Sequence, residues 1–157
     1  FGEQALRPMG RSARGVRGIR LKDGQNVISL IPISGVGTLV IATANGYGKR
    51  TLYSEFPVKG RGGQGVIAIQ ANDRNGDVIG AGLANVGEDI MLITGKGVLV
   101  RTTASEIAVI GRNTQGLRLI ALKAGEQLIG LETIPEIIDI EENSTLISSP
   151  ESDEIVN

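Results

Sequence analysis

The chain repeats itself, and that limits what it can fold into. Asn45-Gly46-Tyr47-Gly48-Lys49-Arg50-Thr51 aligns with Lys96-Gly97-Val98-Leu99-Val100-Arg101-Thr102. At the same offset of 51, Ser54-Glu55-Phe56 aligns with Ser105-Glu106-Ile107, and Arg61-Gly62-Gly63-Gln64-Gly65-Val66 with Arg112-Asn113-Thr114-Gln115-Gly116-Leu117. A weaker copy, Arg14-Gly15-Val16-Arg17-Gly18-Ile19, precedes Arg61 by 47 residues. Each copy runs on into a short aliphatic segment: Val27-Ile28-Ser29, Val78-Ile79-Gly80 and Leu128-Ile129-Gly130. A unit of about 50 residues is one supersecondary module that cannot bury its own face, so neighbouring units must stack.

The module is built of strands. Short Val-, Ile- and Leu-rich runs fall at 27–31, 38–44, 48–52, 65–70, 78–83, 89–93, 98–102, 116–122 and 128–132. Turn residues separate them, including Asn45-Gly46, Asn75-Gly76 and Gly95-Lys96-Gly97. Such pairs suit tight hairpins because Gly and Asn accept positive φ. No segment carries an apolar stripe at helical spacing over an ordinary helix length. The chain is therefore expected to be all-β, with roughly four strands per unit, the size of a propeller blade. A β-sandwich is the alternative. Blades are expected at 1–35, 36–84 and 85–132. With 157 residues the chain has about one domain's worth of length. Four aromatic residues, Phe1, Tyr47, Tyr53 and Phe56, leave an aliphatic core and no platform for stacking bases.

Cys and His are both absent. That excludes thiol chemistry, disulfides, Cys/His zinc sites and histidine acid–base catalysis. Gly60–Gly65 lacks the Gly-Lys-Ser/Thr end of a phosphate-binding P-loop. Asp73-Arg74-Asn75-Gly76-Asp77 lacks the closing Glu of a calcium loop and reads as a turn. No apolar run approaches the roughly 18 residues of a membrane span. Phe at position 1 predicts a fragment or a processed product.

Charge divides the chain. From Glu132 onward there are eight acids and no Lys or Arg, whereas residues 1–131 carry all 16 bases and a formal +7. Residues 133–157 have no clean period and are expected to be a mostly disordered acidic tail, its isoleucines able to add one last strand. The basic body suggests a polyanion, most often nucleic acid. The repeat puts Arg14, Arg61 and Arg112 in one row and Arg50 and Arg101 in a second. Lys49, Lys59 and Arg11 add to the field, and Arg17 extends the densest basic patch, 11–20. A curved row of this kind matches the backbone of a bent duplex, with phosphate contacts and no base reading. The competing expectation is that each repeated Arg braces its unit against Glu55 or Glu106. Arg50 and Arg101, inside strands, lean to bracing; Arg61 and Arg112, in loops, lean to phosphate.

Several runs are long and specific. Leu6-Arg7-Pro8-Met9-Gly10-Arg11-Ser12-Ala13-Arg14-Gly15-Val16-Arg17-Gly18-Ile19, the stretch Asn45–Thr51, Val100-Arg101-Thr102 and Ile110–Gly116 resemble the C-terminal domain of bacterial DNA gyrase A. The resemblance covers about residues 1–132. The corresponding C-terminal domain of topoisomerase IV is similar in fold but a poorer match to these runs.

The resemblance implies a β-pinwheel, a six-bladed propeller-like disc, of which this chain is the last three blades and the tail. It implies duplex DNA as partner, wrapped non-specifically on a basic rim to support ATP-dependent negative supercoiling. Arg11, Arg14, Arg17, Lys49, Arg50, Lys59, Arg61, Arg101 and Arg112 are the candidate contacts. It further implies an A2B2 holoenzyme of gyrase A with gyrase B that uses ATP and magnesium elsewhere, no catalysis by this chain alone, and a cytoplasmic, nucleoid-associated setting. The glycine- and basic-rich box of the family's first blade is not in this sequence. A protein-binding β module is the expectation from a different class.

Overall fold

The computed structural model describes residues 1–135. Seven strands form two antiparallel sheets: β1 (Thr38–Thr43), β2 (Tyr47–Leu52), β3 (Val78–Ala84), β4 (Asp89–Thr94), β5 (Leu99–Thr103), β6 (Leu117–Arg118) and β7 (Leu128–Ile134). The first sheet runs β3-β1-β2-β6 and the second β5-β4-β7. Among the described residues no helix is long and apolar enough to cross a membrane.

The sequence repeat reappears as register. Val40 faces Arg50 across β1 and β2, and Met91 faces Arg101 across β4 and β5. A shift interrupts the β1–β3 ladder between Ala42 and Thr43, and another interrupts β4–β7 between Ile93 and Thr94, 51 residues on. Single 3-10 turns follow β2 and β5, at Tyr53–Glu55 and Ala104–Glu106; a third lies at Glu3–Ala5. Asn45-Gly46 closes the β1–β2 hairpin with Gly46 at φ 81°, a conformation that costs Gly little.

The two sheets pack face to face through β3 and β7. Gly80 and Gly82 of β3 lie opposite Leu131 and Thr133, and a methyl group on Gly82 would sit 2.8 Å from Thr133 Cγ2. The core between them is aliphatic: Val40, Ala42, Ala84, Ile90, Leu92, Ala104, Ile107, Leu128 and Leu131. It buries no Phe, in line with the scarcity of aromatics.

Three expected strands differ. Residues 27–31 and 65–70 form no ladder, and 116–122 shortens to Leu117–Arg118. A strand needs a partner along its length. Residues 27–31 have no ladder partner among the described residues, and Val27, Ile28 and Leu30 are exposed. Loops 17–20 and 62–65 do bond each other, Gly62 N–H to Gly18 O and Arg20 N–H to Gly63 O. Positive φ at Gly15, Gly62 and Gly65 keeps them from regular pairing. The second sheet accordingly has three strands, and 1–35 adds none. At the other end β7 runs to Ile134, two residues into the expected tail. The rest of that tail, 136–157, lies outside the described residues.

Candidate nucleic-acid interface

The nine candidate residues fall into four environments. Arg11, Arg14 and Arg17 are exposed on the irregular segment 6–22, together with Arg7, Arg20 and Lys22. Lys59 is exposed in the loop before Arg61. These side chains point their charge at solvent, as phosphate contacts must.

Arg61 and Arg112 share one construction. Arg61 Nε donates to Ala5 O (3.2 Å) and its Nη1 to Arg17 O (2.7 Å). Arg112 Nε donates to Glu55 O (3.3 Å) and its Nη1 to Ile67 O. Ala5 and Glu55 are both the last residue of a 3-10 turn. Each Arg therefore ties the turn and the glycine loop of the preceding unit to its own. The brace uses backbone carbonyls, not the carboxylates of Glu55 or Glu106. Glu106 instead accepts from the Thr102 hydroxyl. A guanidinium has five N–H donors, so three remain on each Arg. Arg61 is exposed and Arg112 half-buried.

Lys49 and Arg50 point into the protein. They lie on β2, whose outer edge is covered by 107–118 of the next unit: Arg50 N–H donates to Ala108 O and Ile110 N–H to Arg50 O. Arg50 is 6% exposed and its Nε donates to Ile107 O. Lys49 is 1% exposed. Its Nζ donates to Gly111 O (2.7 Å), Arg112 O (2.5 Å) and Thr114 Oγ1 (3.0 Å). Burial pulls its pKa down to about 8; the Arg112 charge pushes the same way and Glu55 opposes. Both residues hold units together. Their depth in the seam corrects the expectation of surface contacts, because the neighbouring unit covers what a lone strand would expose.

Arg101, the repeat partner of Arg50, is exposed and forms an ion pair with Asp89, donating from Nε at 2.7 Å. Two basic residues were missed, Arg74 and Arg118, which gather over the ring of Tyr47. At the offset of 51 neither falls on a base: Arg74 aligns with Gly125 and Arg118 with Ile67. The β2–β6 pairing sets Arg118 opposite Tyr47, and the turn at 72–76 brings Arg74 to the same ring.

Among the described residues no three His, Cys, Asp or Glu side chains are grouped to hold a metal ion.

Stacked antiparallel units, with repeated arginines stitching unit to unit, define a blade-repeat β protein with a basic, irregular margin. Residues 1–34, 37–85 and 88–135 match the family model of the DNA gyrase C-terminal domain, beta-propeller, and the chain belongs to that family. The DNA gyrase A protein of Pseudomonas aeruginosa is 55% identical over 137 residues, 87% of this chain and 15% of that protein. Its Escherichia coli counterpart is 47% identical over 149 residues, 95% of this chain and 17% of that protein. The chain thus spans about a sixth of the length of these relatives. A solved gyrase A C-terminal domain superposes with a TM-score of 0.77 at 24% identity, covering 84% of this chain and 45% of that one. The C-terminal domain of DNA topoisomerase IV gives 0.75 at 25%, covering 83% and 41%. The fold is common to both, while the sequence relatives named are gyrase A proteins.

Proposed function

We propose that this chain binds duplex DNA non-specifically and wraps it, as the C-terminal domain of a gyrase A protein, in support of ATP-dependent negative supercoiling. The observation that carries this reading is the exposed basic segment Arg7, Arg11, Arg14, Arg17, Arg20 and Lys22, opposed within 1–22 only by Glu3. Lys59 and the spare N–H groups of Arg61 and Arg112 extend it, so these two arginines both brace the units and meet phosphate. Lys49 and Arg50 serve the seam. The partners on this reading are duplex DNA, the rest of gyrase A, and gyrase B in an A2B2 assembly, in the cytoplasm at the nucleoid. ATP and magnesium act elsewhere in that assembly.

The test is duplex binding between about 50 and about 300 mM salt. Each phosphate contact contributes about 0.9 to the slope of log K against log salt. Arg11→Gln/Arg14→Gln/Arg17→Gln is expected to lower the slope by about three. Flat binding in the parent chain overturns the reading. Seven of the chain's acids lie in 136–157. They are proposed to compete with DNA for the basic surface, so ending the chain after Pro135, beyond β7, tightens binding at low salt. Affinity unchanged by that truncation rejects the competition.

A further inference from the structure

We propose that Arg74 and Arg118, held against Tyr47, form a further phosphate site for the duplex backbone at the seam between the second and third units. The inference rests on the DNA-wrapping reading and adds to it two residues that the repeat does not mark.

The site is assembled from three places in the chain. Tyr47 opens β2, and Arg118, its register partner on β6, donates from Nη2 to the phenol oxygen at 3.2 Å. Arg74 comes from the turn between residues 72 and 76. Its guanidinium carbon lies 5.1 Å from the Tyr47 ring centre, and that of Arg118 lies 5.6 Å away. Both distances are within cation–π range.

The turn that presents Arg74 is fixed. Asn72 Oδ1 accepts from the backbone N–H groups of Arg74 (3.0 Å) and Asn75 (3.3 Å). Asn75 is fully buried, and its Nδ2 donates to Gln70 O (2.8 Å) and Gln115 O (2.9 Å). Asn45 Nδ2 donates to the carbonyls of Asp73 and Arg74 at 3.2 Å. The last two residues tie the turn to the β1–β2 hairpin and to the segment that enters β6. Arg74 and Arg118 are thus brought together by hydrogen-bonded asparagines, of which Asn75 is buried.

Two positive charges over one ring repel each other unless an anion joins them. The single ion pair among the described residues is Arg101 with Asp89; Asp73 and Asp77, on the same turn as Arg74, pair with neither arginine. Both guanidiniums are exposed. Together they draw the Tyr47 hydroxyl below its usual range, chiefly through the Arg118 hydrogen bond and then through Arg74. Arg118 spends one of its five N–H groups on the phenol, which leaves a fork free for phosphate oxygens. Guanidiniums paired with phosphate oxygens carry no base information, so the contact is sequence-blind.

The experiment compares Arg74→Gln/Arg118→Gln in the full chain with the parent, using a fluorescent duplex across a salt series. Arg14→Gln/Arg17→Gln serves as the reference pair. The proposal expects the salt slope to fall by about two and low-salt affinity to drop on the order of tenfold, with the melting temperature retained. Arg118→Lys, which keeps the charge, retains most of the slope. If the double variant does not fold, Arg118→Gln alone carries the test through a slope loss of about one. An unchanged slope, with Arg14→Gln/Arg17→Gln lowering it, overturns this site and leaves the wrapping reading standing. A parent chain without salt-dependent duplex binding overturns both.

Discussion

Lys49 is a charged side chain with almost no exposed surface, and its three donors meet three oxygens of the Gly111–Thr114 loop. Lys49→Met keeps much of the volume but leaves the Arg112 carbonyl without its donor, while the Thr114 hydroxyl still donates to Gly111 O. One unsatisfied buried acceptor costs about 1–3 kcal/mol, so a loss of about 1–3 kcal/mol in urea unfolding is expected. A pH signature accompanies it. The folded chain holds the Lys49 proton with a pKa of about 8, against 10.5 in an unperturbed lysine. Folding therefore releases that proton over this window, and the Lys49 contribution to stability rises as pH climbs through it. The gap in melting temperature between parent and Lys49→Met should widen from about pH 7 to about pH 10. A constant gap would mean that Lys49 titrates normally. This residue also marks a limit of sequence reading. Two adjacent bases on a strand signal an exposed edge, and nothing local announces that a unit 60 residues later will cover it. The repeat set Arg61 and Arg112 at equal positions, and they make equal contacts, but it did not show that their partners are backbone carbonyls of the preceding unit. Arg74 and Arg118 fall on no base at the offset of 51, and only the 72–76 turn and the β2–β6 pairing reveal them.

At the scale of elements, β1 to β5 and β7 were readable from aliphatic runs and turn residues. The strands that failed to form, at 27–31 and 65–70, share that composition but lack a partner, which composition does not encode. The joint between units depends on close approach at Gly48, where a Cβ would collide with the Ile41 carbonyl oxygen and Leu119 Cδ1. Gly116 meets Gly48 from the other side: its Cβ would lie 2.8 Å from Gly48 O, and its φ is 79°. Gly48→Ala must push β1 away from β2 at Ile41 and displace the Leu119 side chain that follows β6. Overpacking of this kind costs about 1–3 kcal/mol, and the backbone neighbour cannot rotate aside. Gly60→Ala, with nothing within 4 Å of its Cβ and no positive φ, is the control, expected within about 0.5 kcal/mol of the parent. Equal stability of the two variants would show that the β1–β2 ladder and Leu119 yield easily around Gly48.

Over the whole molecule, each unit finishes its neighbour. The outer edge of β2 is closed by 107–118, through Arg50 N–H to Ala108 O at 3.0 Å and the Gly48–Leu117 pairing. β5 occupies the same place in the next unit, yet it stands at the end of its sheet, with Leu99 61% exposed. Arg101 aligns with Arg50 in register, so its N–H points outward at the position where Arg50 is bonded. An unpaired strand edge is where a β protein exchanges amide protons and accepts further strands. The Arg101 amide should therefore exchange faster than the Arg50 amide by about a hundredfold or more. Residue-resolved hydrogen exchange of the full chain compares the two directly. Equal protection would mean that something covers β5 in solution, either a second copy or the residues beyond Pro135. A dilution series separates these, because pairing between copies loses protection as concentration falls and pairing within the chain does not.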